Sequence, residues 1–160
     1  MASVDLRLAV PSLDDAEELA SVHVRAWREA YGALLPERSY GDTAGQARRQ
    51  MWAGRLSEDD ARQGDEIVGF VVHGPAVEHQ GHPPLRDEQL FALYVLSFSY
   101  GQGVGQALLD DALGGRPAQL WVAKDNSRTH RFYEKNRFIE HGTEQTDPDL
   151  DGLVEIRMIR

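Results

Sequence analysis

The sequence predicts an α/β domain, and three observations carry the prediction. From Gln89 to Leu109 it reads as a short apolar strand, a glycine cluster and a helix. Leu120-Trp121-Val122 repeats the pattern, with Asp125-Asn126-Ser127 as a helix-start cluster behind it. Strand-like runs at Ile67–Val72 and Leu153–Ile159 add to this, alongside a long helical stripe near the start.

In chain order, Leu6 and Leu8 alternate about Arg7 before Pro11, a short first strand. Ser12 with Asp15 three positions later, and Asp14, Glu17 and Glu18 in the first turn, opens a helix from about Leu13 to Tyr31. Its stripe is Ala16, Leu19, Ala20, His23, Trp27 and Ala30, and Gly32 marks its end. A lone histidine on such a stripe is more often a hydrogen-bonded core residue than a base or ligand. Ala44–Leu56 reads as a second helix anchored by Met51 and Trp52, and the polar Ser57–Asp65 that follows shows no strong strand.

Ile67–Val72 is the first clear strand; His73–Pro84, with its prolines, glycines and three histidines, reads as a surface loop. His73, His79 and His82 are conceivable metal ligands, but without carboxylates at fixed geometry or a rigid scaffold a solvated loop is the expectation, and no metal is expected. Leu90–Leu96 suits a central strand covered on both faces. Val104, Ala107, Leu108 and Ala112 mark the buried side of the next helix, which Gly114-Gly115 and Pro117 end. A helix carrying Phe132 and Tyr133 follows. Phe138-Ile139 and Leu153–Ile159 finish as strands around a polar turn region from Gly142 to Gly152, the last alternating as if one face were solvated.

At 160 residues the chain is expected to form one domain, with 41% hydrophobic residues arguing for a globular core. The 26 acidic against 17 basic residues give a net charge of -9, which carries no footprint for nucleic acid but suits a cationic small substrate. The absence of cysteine excludes disulfides, thiolate nucleophiles and thiolate metal sites. No run of eighteen apolar residues points to a membrane span, and a cytoplasmic protein is expected, alone or as a small oligomer such as a homodimer.

Gly101, Gly103 and Gly105 lack a Cβ and stand where a helix begins, so their amides can approach an anion at the positive end of the helix dipole. Their spacing fits neither the dinucleotide fingerprint nor the nucleotide-triphosphate loop, and a plain tight turn is the alternative. The second constellation runs from Leu120 through Lys124-Asp125-Asn126-Ser127 and Phe132-Tyr133 to Phe138. Together with Leu93-Tyr94-Val95 and Tyr100-Gly101-Gln102-Gly103-Val104-Gly105, it resembles the GCN5-related N-acetyltransferase (GNAT) family.

The resemblance implies a central mixed, twisted sheet of six to seven strands flanked by about four helices, with its second strand between Leu56 and Glu66, short or irregular. It implies acetyl-CoA as cofactor, its pyrophosphate on the loop Tyr100–Gly105 and its acetyl carbonyl and pantetheine on backbone groups of Leu93, Tyr94 and Val95. Asn126 matches the asparagine that holds the pantetheine or pyrophosphate, and Tyr133 the tyrosine that protonates the departing thiolate. Substrate-facing walls come by analogy from Trp27, Glu29 and Tyr31 and from the loop after Phe70-Val71-Val72. Glu88, at a strand position where some relatives place a carboxylate, is either the base, directly or through water, or a solvated acid at a strand edge. Arg137 stands where family members often have glycine; neighbouring Asn136, which tolerates the left-handed region better, is expected to adopt it.

The implied activity is transfer of an acetyl group to a primary amine, small-molecule or peptide, by direct attack in a ternary complex. A catalytically silent acyl-CoA-binding or protein-interaction module of the same fold is the alternative.

Overall fold

Ser12 opens the first helix through Asp15, whose carboxylate accepts the Ser12 backbone N–H at 2.7 Å in the computed structural model. Residues 6–53, 59–63 and 66–160 are described. Leu13–Asp15 is a 3-10 turn that leads into α1 (Ala16–Tyr31), and Gly32 ends it with a φ of 45°. Strand β1 (Leu6–Ala9) precedes α1; α2 (Asp42–Ala53), β2 (Asp59–Gln63) and β3 (Glu66–Pro75) follow it. Next come β4 (Glu88–Val95), α3 (Val104–Leu113), β5 (Gln119–Ala123), α4 (Ser127–Lys135), β6 (Ile139–Asp147) and β7 (Leu153–Ile159).

The described residues form a seven-stranded mixed sheet in the order β1-β2-β3-β4-β5-β7-β6, with β4 and β5 parallel. The chain divides into two compact units, residues 1–72 with 92–114, and 73–91 with 115–160. No helix among the described residues is long and apolar enough to cross a membrane.

In the first unit α1 lies against α2, and α3 against β1 and β2. Leu19, Ala20, Val22, Ala26, Trp52, Ile67, Phe70, Val72 and Leu96 form one core cluster. Leu19, Ala20 and His23 are buried as the stripe predicts, with Val22 and Ala26 widening it. The polar stretch that reads poorly as a strand is β2 in its middle, and it is irregular: Ala61 pairs with Gly69 but Arg62 with Ile67, leaving Val68 as an extra residue on β3. One extra residue reverses the alternation, so Ile67 returns to the face of Phe70 and Val72. The Ile67 N–H donates to Glu18 Oε1 at 2.7 Å. The expected end of α2 at Leu56 lies outside the described residues.

In the second unit three sequence expectations give way. Strand β3 continues through His73 to Pro75, so the loop starts later than the prolines and glycines suggest. Strand β6 runs to Asp147, through a register shift between Glu140 and Glu144, and only Pro148–Gly152 is left as the turn. Strand β7 alternates in sequence, yet both its faces are buried: Glu155 is 9% and Arg157 4% exposed. The segment before β4 explains it. Arg157 donates to the Pro83 carbonyl at 2.9 Å, and His79 Nε2 lies 3.5 Å from Glu155 Oε2.

The end of α4 corrects another expectation. Arg137, not Asn136, takes the positive φ of 67°, while Asn136 stays at φ -94°, ψ 22°. The Phe138 N–H donates to the Tyr133 carbonyl and the Arg137 N–H to that of Glu134, both at 3.0 Å. Those are the two bonds of a Schellman motif, which places its left-handed residue just before the apolar one that folds back on the helix. Phe138 is that residue, its ring 5.6 Å from that of Tyr133.

Candidate functional site

Strand β4 carries the first part of the site. It is not covered on both faces as its composition suggests: Gln89 and Leu90 are buried, but Phe91 is exposed and Ala92 to Val95 are half-buried. Its parallel register with β5 spans Gln89↔Gln119 and Leu90↔Leu120. Gly69 on β3 sits so close to this strand that a Cβ there would meet the Tyr94 carbonyl oxygen at 2.7 Å.

Around Tyr94 the first unit gathers the predicted substrate-facing residues. The Tyr31 and Tyr94 hydroxyls are 2.9 Å apart, and the Trp27 ring lies 5.4 Å from that of Tyr31 and 6.2 Å from that of Tyr94. Buried His23 stacks 5.7 Å from Tyr94, in keeping with a core role. Glu29 has structural work: one carboxylate oxygen accepts the Ser97 N–H at 2.6 Å and the other faces Arg25 Nε at 3.2 Å. That ties α1 to the turn after β4. Arg48 of α2, which no sequence motif marks, lies with its guanidinium 4.2 Å above the Trp27 ring. Burial pushes its pKa below the ordinary value, and the Tyr94 and Tyr31 phenols offset part of that.

The glycine turn follows directly. Ser97–Ser99 forms a 3-10 turn, and Gly101 and Gly103 take φ of 75° and 82° with open space where a Cβ would stand. Gly103 is the N-cap of α3, its carbonyl accepting the Ala107 N–H at 2.9 Å. The amides of Val104 and Gly105 in the first helical turn have no acceptor within the helix and point out of its N-terminal end. Gln102 does not reach outward: its side chain donates to the Phe98 carbonyl at 2.9 Å and braces the turn. Tyr100 closes the 3-10 turn through its N–H to the Ser97 carbonyl at 3.1 Å.

In the second unit Asn126 is the N-cap of α4. Its Oδ1 accepts the Thr129 N–H at 3.3 Å, which commits the oxygen and leaves the side-chain amide with no acceptor among the described residues. Tyr133 is 6% exposed and packs edge-on against Phe132 and Phe138. Glu88 Oε2 accepts from Arg116 Nη2 at 3.1 Å.

A cavity of about 240 Å³ is lined by Val77, His79, Gln89, Phe91, Trp121, Asp147 and Glu155, of which Val77 and His79 come from the segment after β3. Within this lining, ligand atoms of His79, Asp147 and Glu155, one from each, lie within 4.8 Å of one another, carboxylates that the sequence does not place near the histidines. A larger concavity of about 410 Å³ beside α4 is lined by residues such as Lys124, Arg131 and Glu144 and holds none of the predicted site residues.

The acetyltransferase (GNAT) domain model matches residues 48–140, more than half of the chain. A probable N-acetyltransferase of Mycobacterium tuberculosis is 28% identical over 168 residues, covering 94% of this chain and 88% of its own length. An uncharacterized N-acetyltransferase of Bacillus subtilis is 31% identical over 144 residues, 82% of this chain and 81% of its own. Among solved structures, the PaiA N-acetyltransferase of Thermoplasma acidophilum in complex with coenzyme A matches at a TM-score of 0.75 and 16% identity, over 98% of each chain. A histone acetyltransferase HPA2 and related acetyltransferase of Corynebacterium glutamicum matches at 0.72 and 21% identity, over 96% of this chain and 94% of its own. The structural matches establish the fold; the domain match and the relative from Bacillus establish the family. With a mixed seven-stranded sheet, a glycine turn opening α3 and an asparagine-capped α4, the chain belongs to the GNAT family of acetyltransferases.

Proposed function

We propose that the protein is an acetyl-CoA-dependent N-acetyltransferase that moves the acetyl group to a primary amine by direct attack in a ternary complex. The observation that carries the reading is the turn Tyr100–Gly105: two left-handed glycines with open space above them lead into the N-terminal end of α3. Such an end attracts phosphate through its amides and dipole. Asn126 supports it, because its capping oxygen is committed and its amide NH2 is left to donate to an acceptor such as a carbonyl or phosphate.

Acetyl-CoA supplies the activated acyl group and a thiolate leaving group. Backbone groups of Leu93, Tyr94 and Val95 hold the acetyl oxygen and stabilise the negative charge that develops on it. The amine nitrogen forms its bond to the acetyl carbon, the carbon–sulfur bond breaks, and the Tyr133 hydroxyl donates its proton to the sulfur. Glu88 takes the proton that the nitrogen loses, directly or through water, and exchanges its Arg116 partner in doing so. Trp27 and Tyr31 flank the incoming amine.

The test is thiol release from acetyl-CoA with a panel of primary amines. Tyr133→Phe keeps the ring and its packing, so kcat should fall about 100-fold, the lower part of the range for general acids, with little change in melting temperature or acetyl-CoA affinity. Acetyl-CoA that binds but is never turned over would leave a silent acyl-CoA-binding module. A Phe variant with wild-type kcat, where chemistry limits the rate, would return Tyr133 to a packing role.

A further inference from the structure

We propose that Arg48, lying over the Trp27 ring against which Tyr31 and Tyr94 pack, is a carboxylate-recognition site, and that the acceptor is therefore an amine bearing a carboxylate, as in an amino acid. The inference rests on the acetyl-transfer reading above and names the class of acceptor within it.

Arg48 is half-buried, with its guanidinium over the Trp27 ring at 4.2 Å. A charge withdrawn from water is stable only when something of opposite sign or a set of acceptors receives it. Even the exposed arginines of α1 are paired: Arg25 faces Glu29 at 3.2 Å and Arg28 faces Glu37 at 2.7 Å. Among the described residues no carboxylate pairs with Arg48, and the Trp27 ring beneath it packs 5.4 Å from the ring of Tyr31 and 6.2 Å from that of Tyr94. The hydroxyls of those two tyrosines stand 2.9 Å apart. A guanidinium presents a planar fork of donors that matches a carboxylate in two parallel hydrogen bonds, which an ammonium cannot reproduce.

The placement gives the site its meaning. Tyr94 lies on the strand segment proposed to hold the acetyl oxygen, so an anion on Arg48 is anchored beside the reacting carbon. Trp27 and Tyr31 supply an aromatic wall for the rest of the acceptor. The reading also assigns specificity: in a chain with a net charge of -9, a local guanidinium counteracts the field that repels an anionic substrate. The bland alternative is that Arg48 merely roofs Trp27 by a cation–π contact.

The experiment titrates a panel of N-acetyl-L-amino acids and the matching N-acetyl-L-amino acid amides, in the presence of coenzyme A, by calorimetry and tryptophan fluorescence. At least one carboxylate is expected to bind wild type about 10- to 100-fold more tightly than its amide. Arg48→Gln should remove that preference while coenzyme A still binds, and Arg48→Lys should keep only part of it, because the charge stays and the fork is lost. Wild-type protein that binds carboxylates and amides alike, or binds neither, overturns the inference, as does a preference that survives in Arg48→Gln. If Arg48→Gln does not fold, Arg48→Lys carries the comparison. Coenzyme A binding in the same titrations separates this failure from failure of the acetyl-transfer reading.

Discussion

Arg137 holds the least comfortable backbone conformation for its chemistry: an exposed, long L-side chain at φ 67°. Its register comes from Phe138, which is 1% exposed and closes the Schellman bonds. Asn136 is held one step earlier, its side chain donating to the Phe132 carbonyl at 3.0 Å and its own carbonyl accepting from Arg160 at 3.2 Å. Left-handed backbone costs an L-residue roughly 1–2 kcal/mol. Arg137→Gly should therefore stabilise the protein by about 1 kcal/mol, a rise of about 2–4 °C in melting temperature at this size. A melting temperature that stays put or falls would show that the strain is already relieved. Local propensity alone points to Asn136; packing of one phenylalanine overrules it.

At the scale of elements, the approach of β3 to β4 governs the strand that the reaction uses. The bulge at Val68 turns its carbonyl toward the Leu96 N–H, which donates to it at 2.8 Å, and Gly69 lies under the Tyr94 carbonyl. A methyl group at residue 69 would also come within 3.3 Å of the Val95 Cα, so backbone rather than a flexible side chain would have to move. Overpacking of this kind typically costs about 1–3 kcal/mol. Gly69→Ala is predicted to lower stability by that amount in urea unfolding and to raise the KM for acetyl-CoA, because Leu93 to Val95 shift with the strand. Unchanged stability and KM together would mean that β4 yields freely. The glycine turn after β4 was legible in the sequence because three alternating glycines before an apolar helix restrict the local backbone whatever surrounds them. The bulge was not, since an extra residue on β3 shows only against the register of β2.

For the whole molecule, cofactor binding and stability are linked. A ligand that binds only the folded state at 100 times its dissociation constant adds about 2.7 kcal/mol. Acetyl-CoA and desulfo-CoA should thus each raise the melting temperature by about 5–10 °C. The absence of any shift, with no heat of binding in calorimetry, would reduce the turn Tyr100–Gly105 to a structural one. The sequence by itself determined the order of the helices and of every strand but β2, the cap residues Ser12 and Asn126, and the glycine turn. Each depends on short-range needs: a helical or alternating period, a side chain that reaches its own helix start, a backbone without a Cβ. Only the tertiary structure decided that Glu155 and Arg157 are buried, that β6 runs on to Asp147, and that Arg48 lies over Trp27. Those outcomes depend on partners distant in the chain. A polar residue in an alternating strand reads as solvated until another segment covers it, and an arginine on a helix reads as surface until an aromatic ring from another helix comes beneath it.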